Sequence, residues 1–367
     1  MNVASSSPGG APRRVGPISA VVCNYNGAQY LRTCLDALLV CGDRLAEVLV
    51  VDNGSSDDSL ALLAAEYPTV RVVCMQVNAG PGAARNAGMQ AARERWVLAV
   101  DNDAELTPGC LERLIHALEM DPQAVLAQPR SVLAHEPERV HYDGAWFHYA
   151  GLFSLRNFYQ PIGRAEGKGV LAVDGFVSIC GLLDRDVVLD LGGYDESFFI
   201  LFEDYDLSLR LRLVGHRILI DEDAIVLHRA GTAGISFRAA DYPARRAYFH
   251  SRNRWLLLVK NHRWRTLLVS APGILVYELF WLAFAASRGH FLVHLRGKAA
   301  FLRRLPAALH RRRMIQRRRT VRDRDLLVGG PLTLSPQLLA KPMARAAAGL
   351  LSRTLEGWWR LVRPLVP

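Results

Sequence analysis

The sequence predicts an α/β fold, a mostly parallel sheet flanked by helices, and three observations predict it. Short apolar, β-branched runs alternate with stretches of helical periodicity, roughly thirty residues to the unit. The runs are apolar throughout rather than alternating, as strands are when helices cover both faces. Four successive runs lead to polar ends, Asn24 and Tyr25, Asp52 and Asn53, Asn78, and Asp101 with Asp103, at the edge where such sheets bind ligands. The chain has 367 residues, half of them hydrophobic, which suits one large domain with an appendage.

"ISAVVCNY" is the first strand, ending at Asn24 and Tyr25. "AQYLRTCLDALLV" carries Leu31, Leu35, Leu38 and Leu39 at helical spacing. "EVLVVDNGSSD" is a strand that stops at Asp52, and "SLALLAAEY" a helix. "VRVVCMQ" is a strand, and "PGAARNAGMQAARE" a helix with Pro81 in its first turn. "WVLAVDND" is the fourth strand, with Asp101 and Asp103 at its tip. "PGCLERLIHALEM" reads as a helix and "AVLAQP" as a strand, while residues 130–170 are less regular and rich in aromatics. "DRDVVLDLGG" reads as a short helix, "EDYDLSLRLRLVG" as a helix with acids in its first turn, and "HRILID" as a strand. Any one polar strand end could be a solvated turn residue. Four in register are harder to dismiss.

The net charge of +10 is unevenly placed. Residues 288–324 hold thirteen Arg or Lys and one acid, so the rest of the chain is close to neutral. Just before them, residues 266–287 carry one charge, Glu278, and are long enough to cross a bilayer. The Pro272-Gly273 pair and Glu278 count against a simple straight span. The neighbouring basic run favours contact with an anionic membrane surface, and Trp358 and Trp359 beside Arg360 also suit an interface. Nucleic acid is disfavoured, because the basic run has few aromatics. The six cysteines form no C-x-x-C pair and read as reduced, structural thiols. Residues 1–16 read as a disordered lead-in without the apolar core of a secretory signal. The expected division is therefore 1–16, a domain over 17–262, and a helical membrane-associated region over 263–367.

Two carboxylates on alternate residues after a buried strand make a hard-oxygen site for Mg²⁺ or Mn²⁺ beside a diphosphate. "VVCNYNG", "VVDNGSSDDS", "NAGPGAARNAG", "DNDAEL", "GGYDESFFILFEDYDLSLRLRLVGHR" and "LHRAG" follow one another in order. Over residues 17–260 the chain resembles glycosyltransferase family 2, with the GT-A fold. "YFHSRNRWLLLVKNHR" is similar to the bacterial rhamnosyltransferase-like branch.

The resemblance implies inverting transfer from a nucleotide-sugar, with Mn²⁺ or Mg²⁺ as cofactor. It implies that Tyr25 stacks on the base beside Asn24, and that Asp52 accepts the N3–H of uracil or thymine. Arg85 would face the base or phosphates, Asp101 the ribose or metal, and Asp103 the metal. His228 resembles the family's third metal contact. Glu203 and Asp204 match the ED motif, in which the Asp is the base. Gly193, Tyr194 and Asp195 would sit beside the acceptor, a glycan or polyprenyl-linked saccharide, on the cytoplasmic face of the plasma membrane. Processive synthases of the family carry Q-x-x-R-W; here "SRNRW" has Ser251 at the Gln position, which favours adding one or a few sugars. A nucleotide-sugar nucleotidyltransferase would need a glycine-rich phosphate loop after the first strand, which "CNYNGAQYL" lacks. A non-enzymatic membrane or nucleic-acid binding protein on the same fold is the other alternative.

Overall fold

The structure, a computed structural model, describes residues 13–165, 169–229, 242–336 and 338–367. Its first half runs β1 (Ile18–Asn24), α1 (Ala28–Leu39), β2 (Leu45–Asp52), α2 (Ser59–Glu66), β3 (Arg71–Cys74), α3 (Pro81–Ala91), β4 (Trp96–Asp101), β5 (Ala104–Leu106), α4 (Cys110–Met120) and β6 (Ala124–Leu133). Then come β7 (Glu136–Tyr142), β8 (Ala145–His148), β9 (Leu152–Leu155), β10 (Val170–Val173), β11 (Cys180–Asp184), α5 (Arg185–Asp190), α6 (Glu203–Leu213) and β12 (Arg217–His228). The C-terminal part holds α7 (Ala244–Asn261), α8 (Trp264–Ser287), α9 (Phe291–Arg318), α10 (Asp323–Leu326), β13 (Leu327–Val328) and α11 (Pro342–Val362).

The main sheet has the order β10-β12-β6-β11-β4-β1-β2-β3. Its first half, β4-β1-β2-β3, is parallel as expected, and β1 is buried almost throughout. Beyond β4 the sheet changes direction, because β11 inserts antiparallel between β4 and β6. The irregular stretch after residue 130 is largely strand: β7 pairs with β6, and β8 and β9 form a second small sheet with β13. Helices α1, α2 and α4 cover one face of the main sheet, and α3, α5 and α6 the other. Gly88 lets α3 lie close on β1; a Cβ there would come within 2.2 Å of Val21 Cγ1.

Residues 1–12 of the expected lead-in lie outside the described residues. Arg13 is already part of the domain, ion-paired with buried Asp184 and stacked over Trp96.

The C-terminal helices share a core with the sheet domain. Tyr205 and Leu209 of α6, Phe147 and Tyr149, Leu257 of α7, Ile274 and Trp281 of α8, and Leu355 and Trp359 of α11 form one apolar cluster. Helix α8 runs through Pro272, and Gly273 admits the Tyr149 ring; a Cβ would lie 2.1 Å from its hydroxyl. Glu278, the one acid of that helix, faces the protein. It pairs with Arg254 and Lys298 and accepts hydrogen bonds from Trp255 Nε1 and the His294 ring. These partners outweigh burial and hold its carboxyl far below the usual range.

The opposite face of α8 is exposed and apolar. Trp264, Leu268, Pro272, Leu275, Leu279 and Ala283 recur at helical spacing along it, with Leu268 75% and Leu279 65% exposed. Among the described residues α8 is the one helix long and apolar enough to cross a membrane. Helix α9 continues the stripe with Phe291, Leu295 and Leu302, bordered by exposed Arg296, Arg303 and Arg304. Part of the basic run instead pairs with acids of the chain: Arg311 with buried Asp195, Arg319 with Asp323 in a buried pair, and Arg318 with Asp190 at the surface. The tryptophan pair is a correction. Trp359 is buried and stacks on Tyr149 at 5.0 Å, and Trp358 donates from Nε1 to Val269 O. The apolar faces of α11 and α8 are better satisfied by each other than by an interface.

Candidate active site

The strand ends form one continuous polar shelf. Parallel pairing sets Asn24 of β1 opposite Asp52 of β2, and Asn24 Nδ2 donates to Asp52 Oδ1 at 3.0 Å. Asn102 Nδ2 donates to Asn24 Oδ1 at 2.7 Å, which ties β4's tip to the same shelf. Ser55 N donates to Asp52 Oδ2 at 2.9 Å, so each oxygen of this buried carboxylate accepts one bond and keeps a second lone pair. Tyr25, next to Asn24, is 48% exposed.

Arg85 stands behind the shelf on α3, almost fully buried. It pairs with Asp101 Oδ1, donates to Ser178 O at 3.0 Å, and lies over the Tyr194 ring. Its Nε and Nη1 are buried without a protein partner. Burial pushes the Asp101 carboxyl up to about 6, even with Arg85 beside it. Ser178 carries the chain onward: its hydroxyl bonds Asp204 Oδ1 and lies 2.6 Å from the Tyr194 hydroxyl. Asp101, Arg85, Ser178 and Asp204 are therefore one connected series.

Glu203 and Asp204 open α6 with different environments. Asp204 is partly accessible, whereas Glu203 is buried with Oε2 unpartnered. Burial and the neighbouring charge of Asp204 push the Glu203 carboxyl well above the usual carboxylate range, which favours its neutral form. The segment that delivers them is strained. Phe199, Leu201 and Phe202 have φ of 63°, 69° and 76°, and none is glycine. Such conformations cost about 1–3 kcal/mol each.

Asp103 and His228 meet because β5 pairs with the end of β12, His228 opposite Ala104. Asp103 Oδ2 lies 3.3 Å from His228 Nε2. Burial opposes the imidazolium, but Asp103 and Asp101 outweigh it and raise the His228 pKa. His141 stacks on the His228 ring at 5.0 Å, and burial keeps it neutral, its pKa lowered to about 3. Asp103 and His228 are two adjacent donors of the types that hold a divalent cation, although the described residues contain no group of three. The donor set fits an ion that takes the rest of its shell from water and diphosphate.

The structure does not bring the whole "GGYDE" stretch to the open side. Gly193 has φ of 61° and packs on Asn86, which bonds Tyr194 through both its N–H and its C=O. Tyr194 reaches the site through its hydroxyl only. Asp195 is buried and paired with Lys260 and Arg311, so its carboxylate faces the C-terminal helices rather than an acceptor. Asp206, expected as a helix-terminal charge, is buried on the same Lys260 and on Arg210.

Ser178 and His141 were not singled out from the sequence. "VSIC" and "RVHYD" carry no motif, and only the pairing of distant strands gives these residues their neighbours.

A family model, Glycosyl transferase family 2, matches residues 19–181. The Mycobacterium tuberculosis N-acetylglucosaminyl-diphospho-decaprenol L-rhamnosyltransferase is 26% identical over 277 residues, 68% of this chain and 87% of that protein. The succinoglycan biosynthesis protein ExoO of Rhizobium meliloti is 40% identical over 103 residues, 28% of this chain; the match spans only 30% of that relative's length. Among solved structures, GalNAc-T7 with UDP, GalNAc and Mn²⁺ superposes with a TM-score of 0.52 at 16% identity. That match covers 70% of this chain and 51% of the other, and it shows the fold. With the motifs in order on the strand ends of a GT-A sheet, the domain matched over residues 19–181 belongs to glycosyltransferase family 2.

Proposed function

We propose that the protein transfers a sugar, with inversion, from a pyrimidine nucleoside-diphosphate sugar to a lipid-linked saccharide or glycan at an anionic membrane surface. The observation that carries the reading is the connected series Asp101–Arg85–Ser178–Asp204. It links the carboxylates beside the donor to the carboxylate that faces the acceptor.

In this reading Tyr25 stacks on the base and Asp52 accepts its N3–H. Arg85 offers its two unpartnered N–H groups to the donor's phosphates or sugar. Asp103 and His228 would hold Mn²⁺ or Mg²⁺, which supplies a Lewis acid to offset charge on the leaving diphosphate. Asp204 takes the proton from the acceptor hydroxyl as that oxygen attacks the anomeric carbon. The anomeric C–O bond to the diphosphate breaks, and the nucleoside diphosphate leaves from the opposite face. Ser178 orients Asp204 by its hydrogen bond. Glu203, held neutral, leaves Asp204 as the base of the pair. The rhamnosyltransferase relative supports dTDP-rhamnose as the first donor to test, with UDP-sugars next. The exposed apolar stripe of α8 with the arginines of α9 supports a monotopic placement, on the cytoplasmic face where such donors are found. Gly193 and Tyr194 shape the acceptor side, and Asp195 anchors it.

A calorimetric screen of the full chain in detergent, with UDP-, dTDP- and GDP-sugars with and without Mn²⁺, tests the reading. Metal-dependent binding of one pyrimidine nucleotide-sugar is expected. Binding of none, or equal binding without metal, would overturn it.

A further inference from the structure

The strained segment before α6 has a holder. Phe198 O accepts from Ile200 N at 2.8 Å around Phe199, whose φ of 63° and ψ of −64° make a γ-turn of the rare, strained hand. Leu201 and Phe202 follow with left-handed backbones, and the next two residues are Glu203 and Asp204. A backbone like this persists only where its surroundings over-determine it.

Helix α7 supplies the surroundings. Asn253, fully buried, points Nδ2 at three carbonyl oxygens: Phe198 at 3.0 Å, Ile200 at 2.9 Å and Leu201 at 2.8 Å. Arg252 Nη2 donates to Ser197 O at 3.0 Å and to Phe198 O at 2.5 Å. Arg252 Nε donates to Asn253 Oδ1 at 2.7 Å, which fixes the amide so that its N–H groups face the carbonyls. From the other side Gly80, just before α3, touches the segment; a Cβ there would lie 2.1 Å from Phe199 O.

We propose that Asn253 and Arg252 are positioning residues that clamp the strained segment 198–202 and so set where Asp204 stands. The proposal deepens the reading of Asp204 as base and rests on it for its effect on turnover. Neither residue touches the reacting atoms. The clamp works through backbone oxygens, which is why side-chain motifs do not reveal it. The segment needs it because no glycine stands at its left-handed positions.

Asn253→Asp tests the clamp in the full-length protein. The substitution keeps size and the acceptor for Arg252, but sets a carboxylate oxygen against three carbonyls. Amides of residues 200–206 should exchange with deuterium at least about ten-fold faster, while those of β1 and β4 stay unchanged. Turnover of dTDP-rhamnose, or of the UDP-sugar found in the screen, should fall about 100-fold. Affinity for dTDP or UDP with Mn²⁺ should stay within about three-fold. Adding Leu201→Gly, which takes positive φ without strain, should recover turnover at least about ten-fold. Arg252→Lys, which loses the amide-orienting bond, serves by the same exchange readout if Asn253→Asp does not fold. Unchanged exchange over 200–206, equal loss of affinity and turnover, or no recovery with Leu201→Gly would each overturn the clamp. Asp204→Asn is measured alongside. Full turnover in that variant refutes the base assignment, and the exchange result then judges the clamp alone.

Discussion

Replacing Asp206 by Asn should destabilise the protein by about 3–5 kcal/mol, the range for removing one partner of a buried ion pair. Asp206 is fully buried. Its Oδ1 accepts from Lys260 Nζ at 2.8 Å and Asn261 Nδ2 at 2.9 Å, and its Oδ2 from Arg210 Nε at 2.8 Å. Burial alone would raise the carboxyl pKa, but Lys260 and Arg210 overcome it and hold the group down at about 2. Against an ordinary value of about 3.9, that shift corresponds to roughly 2.5 kcal/mol favouring the ionised form. Asparagine keeps the shape but turns one accepting oxygen into a donor facing donors, which adds about 1–3 kcal/mol. Urea unfolding of the full chain in detergent, wild type against variant, reads the difference. The native pKa is depressed, so the contribution is complete above the unfolded value and is lost as pH falls through about 2. The gap between the two proteins should be constant from neutral pH to about 5 and shrink below about 4. A gap under about 1 kcal/mol at pH 7, or one that widens in acid, would refute the reasoning.

Three further outcomes are expected. Asp204→Asn should lower transfer by about 10²–10⁴-fold with nucleotide-sugar affinity nearly intact, read by initial rates and calorimetry; equal losses in both would remove the base role. Asp103→Ala should abolish the effect of Mn²⁺ on UDP or dTDP affinity, and an unchanged metal response would rule out the ligand role. The triple variant Leu268→Gln, Leu275→Gln, Leu279→Gln alters exposed residues, so its melting should match the wild type. Its partition onto vesicles containing phosphatidylglycerol should fall at least about ten-fold, since burying each leucine contributes roughly 1.5–3 kcal/mol. Unchanged partition would separate α8 from the membrane.

The polar shelf at the strand ends was legible because it is written in short-range terms. Asn24, Asp52 and Asp101 each close a strand, Asp103 follows two residues later, and parallel pairing converts strand ends into neighbours. The side of the site around Ser178 and Asp204 depends on contacts between distant segments. The short run of β11, four small or apolar residues and Asp184, carries nothing that announces an antiparallel insertion between β4 and β6, yet that insertion brings Ser178 to Arg85. Asp195 reads as a motif residue open to ligand, and only the arrival of Lys260 and Arg311 shows it to be an anchor. Glu278 argued against a plain transmembrane crossing, and Arg254, Lys298 and His294 supply the physical reason.

Helix α7 gives the boundary near residue 262 a particular meaning. On one helix, Arg252 and Asn253 reach the segment before Glu203 and Asp204 while Ser251 bonds His294 O and Arg254 pairs with Glu278. At its end, the carbonyls of Val259, Asn261 and His262 are taken by Arg312 and Gln316 of α9. A fragment cut at 262 would strip these partners and leave buried cations and carbonyls facing solvent or nothing. The sheet domain and the C-terminal helices therefore share α7, and a chimaera that exchanges C-terminal regions between relatives should carry α7 across with them.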